Sequence, residues 1–506
     1  MKQYFVRKSA ILLLNEAKSE HGLRRVLGPL QLTSLGVGAI IGAGIFVVLG
    51  LVARDKAGPA TTLSFVIAGF ACAFAALCYA EFAAMTPVAG SAYTYAYATL
   101  GELFAWIIGW DLLLEYGVGA ASVAHGWSHY FTGFLLLFDI RLPPVLANAP
   151  FDFDPALGNF VPTGAIIDLP ALLIAALLTL ILVLGIRESA RFNTLMVAIK
   201  LAVIFFVIAV GAFFFDPANW HPFAPYGYWG VSFFGKTILG QRAPGGEPLG
   251  VMAGAAIAFY AYIGFDSVST HAEEARNPER DVPIGIISSL AVCTVLYIAV
   301  AAVLTGMVRY DQIAIDAPLS RAFNRAGLGW AQFLISIGAL TGITSVLMVL
   351  LLSQPRIMFA MARDGLLPKN FFGAIHQRFR TPWKATILTG TVAGLMGSLL
   401  PLRVLAELTN IGTLLAFAIV CAAVLIMRRL NPDAERPFRC PLVPAVPLLG
   451  IGFCLLLMFS LPEENWFRLI GWLLLGLIVY FSYGRHHSVL RQAEAKVYDS
   501  EGERRP

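Results

Sequence analysis

Apolar residues run in long blocks along this chain, separated by short polar segments. A helix that crosses a bilayer needs about 20 mostly apolar residues. By that measure the blocks predict about twelve spans, centred near Gly44, Ala71, Leu114, Leu177, Phe205, Ile257, Leu296, Thr344, Val392, Phe417, Ile451 and Leu474. Two blocks carry glycine or small residues where their middle should be. The first reads Gly36-Val37-Gly38-Ala39-Ile40-Ile41-Gly42-Ala43-Gly44-Ile45-Phe46, and the second Phe259-Tyr260-Ala261-Tyr262-Ile263-Gly264-Phe265-Asp266. A helix broken at mid-membrane leaves N–H and C=O groups unpaired, which is tolerable only where they line a cavity. Two such breaks at matching places in two halves of a chain point to a midplane binding site of the secondary-transporter kind.

The interrupted blocks are the first and sixth. Five spans is an odd number, so a second copy of the unit would run inverted, with spans eleven and twelve outside the repeat. The expected organisation is an N-terminal segment 1–30, a first repeat 31–215, an outer loop 216–248, a second repeat 249–430, a final pair of spans 431–484 and a tail 485–506. Basic residues fix the orientation. Lys2, Arg7, Lys8, Lys18, Arg24 and Arg25 precede the first span. Arg356, Arg363, Lys369, Arg378, Arg380 and Lys384 precede the ninth, Arg428, Arg429, Arg436 and Arg439 follow the tenth, and Arg485, Arg491, Lys496, Arg504 and Arg505 follow the last. These fall on one face of a twelve-span arrangement, which places both termini in the cytoplasm and the chain in the cytoplasmic membrane. The outer loops 140–167 and 216–248, rich in Pro, Asp, Gly and aromatics, suit irregular surface structure. The polar tail after Gly484 is expected to fray into solution.

Composition sharpens this picture. Hydrophobic residues make up 58% of the chain and charged residues 13%, with a mean hydropathy of +0.74. Soluble domains carry about 25% charged residues, so the soluble α/β folds fall away and an all-α polytopic membrane protein remains. The net charge of +5 resides in loops and tails rather than on one face, and implies no nucleic-acid partner. The six cysteines have no paired spacing and read as small packing residues. The first 30 residues show no apolar core followed by a small-residue cleavage site, so no signal peptide is expected.

The breaks suggest chemistry. Gly38-x-x-x-Gly42 is also a helix-packing pattern, but packing one face does not require Gly36, Gly38, Gly42 and Gly44 together. With the backbone opened around Gly42, Ala43 and Gly44, amides at the positive end of the following half-helix suit a carboxylate. The second break offers carbonyls from Phe259 to Ile263, which suit an ammonium group. A zwitterion gripped by backbone at both ends is an α-amino acid. Phe259 could cover it as a gate, or serve as plain packing.

At this point the chain resembles the amino acid–polyamine–organocation superfamily, and within it the cationic amino acid transporter branch. The matching blocks are 39–46; Leu77-Cys78-Tyr79-Ala80-Glu81-Phe82 with Pro87-Val88-Ala89-Gly90-Ser91-Ala92-Tyr93; Gly109-Trp110-Asp111-Leu112-Leu113-Leu114-Glu115-Tyr116; 259–266 with Glu273-Glu274-Ala275-Arg276-Asn277-Pro278; and Pro355-Arg356 through Ala360-Met361-Ala362-Arg363-Asp364-Gly365-Leu366-Leu367. The resemblance implies a LeuT-like five-plus-five inverted repeat, with Ile40, Gly42, Ala43, Gly44, Phe259, Tyr260, Ala261, Ile263 and Ile343 around an amino acid substrate. It implies protons as the coupling ion in the lipid bilayer, and leaves a small single-span partner open.

Charged residues inside the spans carry the rest. Lys200 stands in the otherwise apolar fifth span, where a mid-span lysine costs about 2.5–3.5 kcal/mol on insertion scales. Snorkelling is the plain alternative, although Lys200 lies deep. In the family's sodium-coupled members an ion joins the first and eighth spans, and a fifth-span lysine replaces it in proton-coupled ones; Lys200 matches that lysine. Thr344 and Ser345 match the hydroxyl ligands of the sodium site and are expected to accept hydrogen bonds from its amine. Glu115 matches the acidic residue of the cationic branch, expected to be a proton-linked carboxylate, with Asp111 one turn earlier on the same face. Where the cationic carriers have a serine just before the 344–345 pair, this chain has Ile343. A bulky apolar side chain there favours small neutral amino acids over arginine.

Two other motifs carry little. Gly230-Val231-Ser232-Phe233-Phe234-Gly235-Lys236-Thr237 matches a phosphate-binding pattern by letter, but lacks the buried strand and following helix that the pattern needs. His271-Ala272-Glu273-Glu274 lacks a second zinc histidine, and Glu273 and Glu274 read as an inner-face cap on Arg276 or Arg280. No nucleophile–base pair, metal ligand set or cofactor motif rises above background. The expected function is a proton-coupled amino acid symporter working by alternating access. An exchanger, an amine or polyamine carrier, and a non-transporting amino acid sensor are the alternatives.

Overall fold

The computed structural model describes residues 27–492, except 87, 89, 155–158, 185, 235, 244–245, 316 and 462. It is overwhelmingly helical, and a helical segment lies at each of the expected centres. The helices are α1 (Pro29–Ile40), α2 (Thr61–Met85), α3 (Glu102–Leu136), α4 (Leu169–Leu184), α5 (Ile186–Gly211), α6 (Val251–Ala258), α7 (Pro278–Met307), α8 (Gly329–Arg363), α9 (Trp383–Leu399), α10 (Leu402–Leu430), α11 (Ala445–Ser460) and α12 (Glu463–Val479). Among the described residues, eight helical stretches are long and apolar enough to cross a membrane.

Apolar side chains point both ways, as a bilayer allows. Phe70, Leu177, Phe205, Val295, Leu474 and Ile478 stand exposed on the outer surface of the bundle. Inside, α1 packs on α7, α5 and α8; α2 on α7 and α6; and α3 on α8, α9 and α10. Small residues set the closest approaches. A Cβ on Gly390 of α9 would fall 1.7 Å from Thr179 Oγ1 of α4, and one on Gly338 of α8 would fall 2.5 Å from Val203 of α5. On the flank of the bundle, α3 and α12 are joined reciprocally. Trp110 Nε1 donates to the Trp472 carbonyl and Trp472 Nε1 to the Trp110 carbonyl, both at 2.9 Å, with the rings stacked.

Both expected interruptions are present. α1 stops at Ile40, Ile41 is extended (ψ 103°), and the chain resumes as a widened helical turn over Gly44–Val48. α6 stops at Ala258, a tight turn covers Phe259–Tyr262, and Ile263 is extended (ψ 134°). Gly264 then adopts φ +120°, a conformation closed to other residues at little cost, before a short helix resumes at Ser267.

Two expectations are corrected here. The outer loops are more ordered than their composition suggested: Phe151–Asp154 pairs antiparallel with Asn159–Pro162, and Val231–Phe233 with Lys236–Leu239. The phosphate-loop look-alike is therefore a hairpin, with its Gly235 outside the described residues. The tail does not fray at once, because Ser488 donates to Glu102, Arg491 Nε donates to the same carboxylate (2.6 Å), and the Val489 amide donates to the Asp364 carbonyl (3.0 Å). A buried carboxylate at the start of α3 needs those donors. Residues 1–26 and 493–506, which hold many of the basic residues used for orientation, lie outside the described residues.

Candidate functional site

Breaking α1 frees the carbonyls that a continuous helix would have used. Gly38 and Ile41 lose their natural amide partners, and Lys200 of α5 takes both. Its Nζ donates to Gly38 O (2.9 Å), Ile41 O (2.8 Å) and Ser345 Oγ (2.7 Å). Those three acceptors match the three donors of an ammonium group. Lys200 is wholly buried, and among the described residues no carboxylate pairs with it. Ser345 of α8 donates onward to Gly38 O (3.0 Å) and Gly342 O (2.8 Å), so three helices meet at one amine.

Thr344 is a correction. Its hydroxyl donates to Leu340 O (2.7 Å) and accepts from Trp127 Nε1 of α3 (2.9 Å), and it makes no hydrogen bond with Lys200. Ile343 is fully buried beside Gly342, where an added Cβ would fall 3.6 Å from Lys200 Cδ.

The two breaks touch. A Cβ on Gly44 would lie 2.4 Å from Ala261 Cα, and one on Gly264 would lie 2.9 Å from the Ala39 carbonyl. Glycine is demanded by the approach of one backbone to the other. Tyr297 of α7 bridges them, its hydroxyl set 2.8 Å from Ile40 O and 2.9 Å from Ala261 O. The Tyr260 carbonyl accepts from the Ile263 amide at 3.4 Å. Of the carbonyls expected to hold an amine, those of Ala261 and Tyr260 thus already have donors. Gly42 and Ala43 are buried, and Gly42 is held close by Val346. Tyr260 pairs its hydroxyl with Ser122 Oγ of α3 (2.6 Å). Phe259 is buried edge-on against Phe417 of α10, part of an aromatic group with Phe265 and Tyr79.

Acidic groups gather beside the sixth-span break. Tyr116 of α3 donates to Asp266, whose other oxygen has no hydrogen-bond partner. Glu115 faces both Asp266 and Asp111. All four oxygens of Glu115 and Asp111 are buried without a hydrogen bond, and the nearby Thr413 hydroxyl donates to Thr409 O instead. Lys200 and Glu115 therefore belong to separate groups. Asp266, Tyr116, Tyr297 and Ser122 were not singled out from sequence. A carboxylate in the apolar sixth span is the same signal that marked Lys200, and could have found Asp266.

Backbone pairing and ion pairs join the segment before α1 to the stretch after the sixth-span break, and that stretch to α8. Leu27 pairs with the strand-like stretch at Ala275, through Leu27 N to Glu274 O (2.9 Å) and Arg276 N to Leu27 O (2.8 Å). Glu274 meets Arg356 (2.7 Å) and Glu273 meets Arg363 (3.6 Å), both from α8, rather than Arg276 or Arg280. The six cysteines are all free and buried.

A helical bundle that crosses a membrane, with two broken helices abutting through glycines and stapled by buried polar groups, is the architecture of a membrane carrier. Its sequence affinities agree. The amino acid permease family matches residues 27–480, and this chain belongs to that family, within the amino acid–polyamine–organocation superfamily. It is 46% identical over 489 residues to a branched-chain amino acid permease of Bacillus subtilis, covering 96% of this chain and 99% of the relative. It is 44% identical over 492 residues to a methylthioribose transporter of the same organism, covering 97% and 100%. Against the human cationic amino acid transporter 4 it is 38% identical over 419 residues, covering 82% of this chain and 61% of the relative.

Proposed function

We propose that this amino acid permease imports neutral amino acids across the cytoplasmic membrane together with protons. The observation that carries the reading is Lys200, which holds the Gly38 and Ile41 carbonyls freed by the first break and joins them to Ser345. A fixed ammonium at that point supplies the positive charge that a sodium ion would otherwise bring, so sodium is not required. The substrate carboxylate goes to the Gly44 and Ile45 amides, first-turn donors of the resumed helix; the Phe46 amide is already taken by Gly42 O. Its ammonium goes to the sixth-span break, near the carboxylates of Asp266 and Glu115. The chain crosses the membrane twelve times as a five-plus-five inverted repeat plus two, with both termini cytoplasmic. Glu115 exchanges the coupling proton. Ile343, with the branched-chain relative, favours an apolar side chain over arginine.

A second reading rests on the methylthioribose relative, which matches this chain over almost its whole length. That molecule has neither carboxylate nor ammonium. A thermal-shift screen of the twenty amino acids and methylthioribose, followed by proteoliposome uptake, separates the two. Alanine or a branched-chain amino acid accumulated under an imposed ΔpH without sodium is the expected result. Accumulation driven by a sodium gradient and indifferent to ΔpH would reject the proton coupling. Uptake of methylthioribose alone would reject the amino acid.

A further inference from the structure

Away from both breaks, α3 carries two histidines one turn apart, His125 and His129, with their Nε2 atoms 3.0 Å apart. His125 is buried and His129 exposed, so the pair opens to the surface of the bundle near the C-terminal end of α3. The Nδ1 of His125 lies 3.0 Å from the Gly397 carbonyl of α9. A proton on Nδ1, donated there, leaves Nε2 as a lone-pair nitrogen pointing at His129. Behind His125 stands Asp168, at the start of α4. Its Oδ1 accepts from Ser128 and from the Ala171 amide (3.2 Å), while its fully buried Oδ2 has no hydrogen-bond partner and lies 3.4 Å from His125 Nδ1. One ligand atom from each of the three residues falls within 4.8 Å of the others.

We propose that His125 and His129 bind a zinc ion through their Nε2 atoms, with the Asp168 carboxylate behind His125 raising its basicity. Tetrahedral zinc with bonds of about 2.0–2.1 Å sets neighbouring nitrogens about 3.3 Å apart, so the pair need part by only a few tenths of an ångström. A carbonyl or carboxylate behind a zinc histidine raises its basicity; here the Gly397 carbonyl holds the Nδ1 proton and the Asp168 carboxylate stands 3.4 Å behind it. Water completes the coordination from the exposed side. The ion would bridge two turns of α3, and α4 and α9 touch it only through Asp168 and the Gly397 carbonyl behind His125. In the orientation proposed above it faces the outside of the cell, but binding itself does not depend on the transport reading.

The test uses full-length, tag-free protein in nanodiscs, titrated with ZnCl2 by calorimetry. One tight equivalent is expected in the wild type. It should disappear in His129→Ala, whose exposed side chain is dispensable for folding and for basal uptake. Asp168→Asn should weaken it by about 10- to 100-fold. Zinc should also raise the unfolding temperature of the wild type and not that of His129→Ala. Equal stoichiometry and affinity in the wild type and His129→Ala would overturn the site. Unchanged affinity in Asp168→Asn would remove Asp168 from it.

Discussion

The two interrupted spans are filled in opposite ways. At the first, every donor of one buried cation is used, and the carbonyls it takes are those that the break released. At the sixth, three carboxylates gather with one tyrosine donor between them, and most of their oxygens are left unpaired. A saturated cation holds a backbone in place. Buried carboxylates without donors are costly unless they hold a proton or meet a ligand. The comparison teaches that the groups a break releases can be used in two ways: the carbonyls of the first are fastened by a cation, while the sixth is flanked by unspent acceptors.

The sharpest way to break this comparison is Lys200→Met. Hydrogen bonds to a charged group are worth about 1.5–3 kcal/mol each, and three are lost, so amino acid uptake in proteoliposomes should fall at least about 100-fold. Uptake at the wild-type rate would mean that the freed carbonyls need no cation. Next is Gly44→Ala, whose Cβ would sit 2.4 Å from backbone at Ala261. Overpacking costs about 1–3 kcal/mol, predicting a roughly 5- to 150-fold loss of affinity by calorimetry, whereas Gly133→Ala, with nothing within 4 Å, should bind as the wild type does.

Glu115→Gln addresses the acidic side. A gradient of one pH unit supplies about 1.4 kcal/mol per proton, so acidifying the outside by one unit should raise wild-type accumulation by up to about tenfold. In Glu115→Gln that dependence should flatten while substrate binding persists. An unchanged pH profile assigns the proton elsewhere. The smallest effect is expected for Tyr297→Phe. It removes the hydroxyl between Ile40 O and Ala261 O. At about 0.5–1.5 kcal/mol for the one proton that the hydroxyl donates, affinity should drop only a few-fold, and no change would show that the breaks hold together without the bridge.

Much of this was legible in the sequence because burial makes charge conspicuous. Lys200 stood out in an apolar span, and glycines marked both breaks. Adjacent residues on a helix point about 100° apart, and here Ser345 turns to Lys200 while Thr344 turns to Trp127 of α3, a partner 217 residues away that local spacing does not reveal. Asp266 carries the same signal as Lys200, masked by its place at the end of the glycine-interrupted segment 259–266. The partners of Glu273 and Glu274 come from α8, about 80 to 90 residues away, where local spacing gives no guide. The short hairpin at 151–154 was visible in the alternation Phe151-Asp152-Phe153-Asp154, a strand signature overshadowed by the loop's proline and glycine.

The hydrogen bond from Trp127 to Thr344 gives this carrier a built-in optical reporter. Its indole lies one residue along α8 from the serine that receives Lys200 Nζ. The Trp106–Trp110–Trp472 stack is instead clamped between α3 and α12. Light absorbed by that stack should give a steady background, so emission that shifts when substrate or protons arrive should disappear in Trp127→Phe.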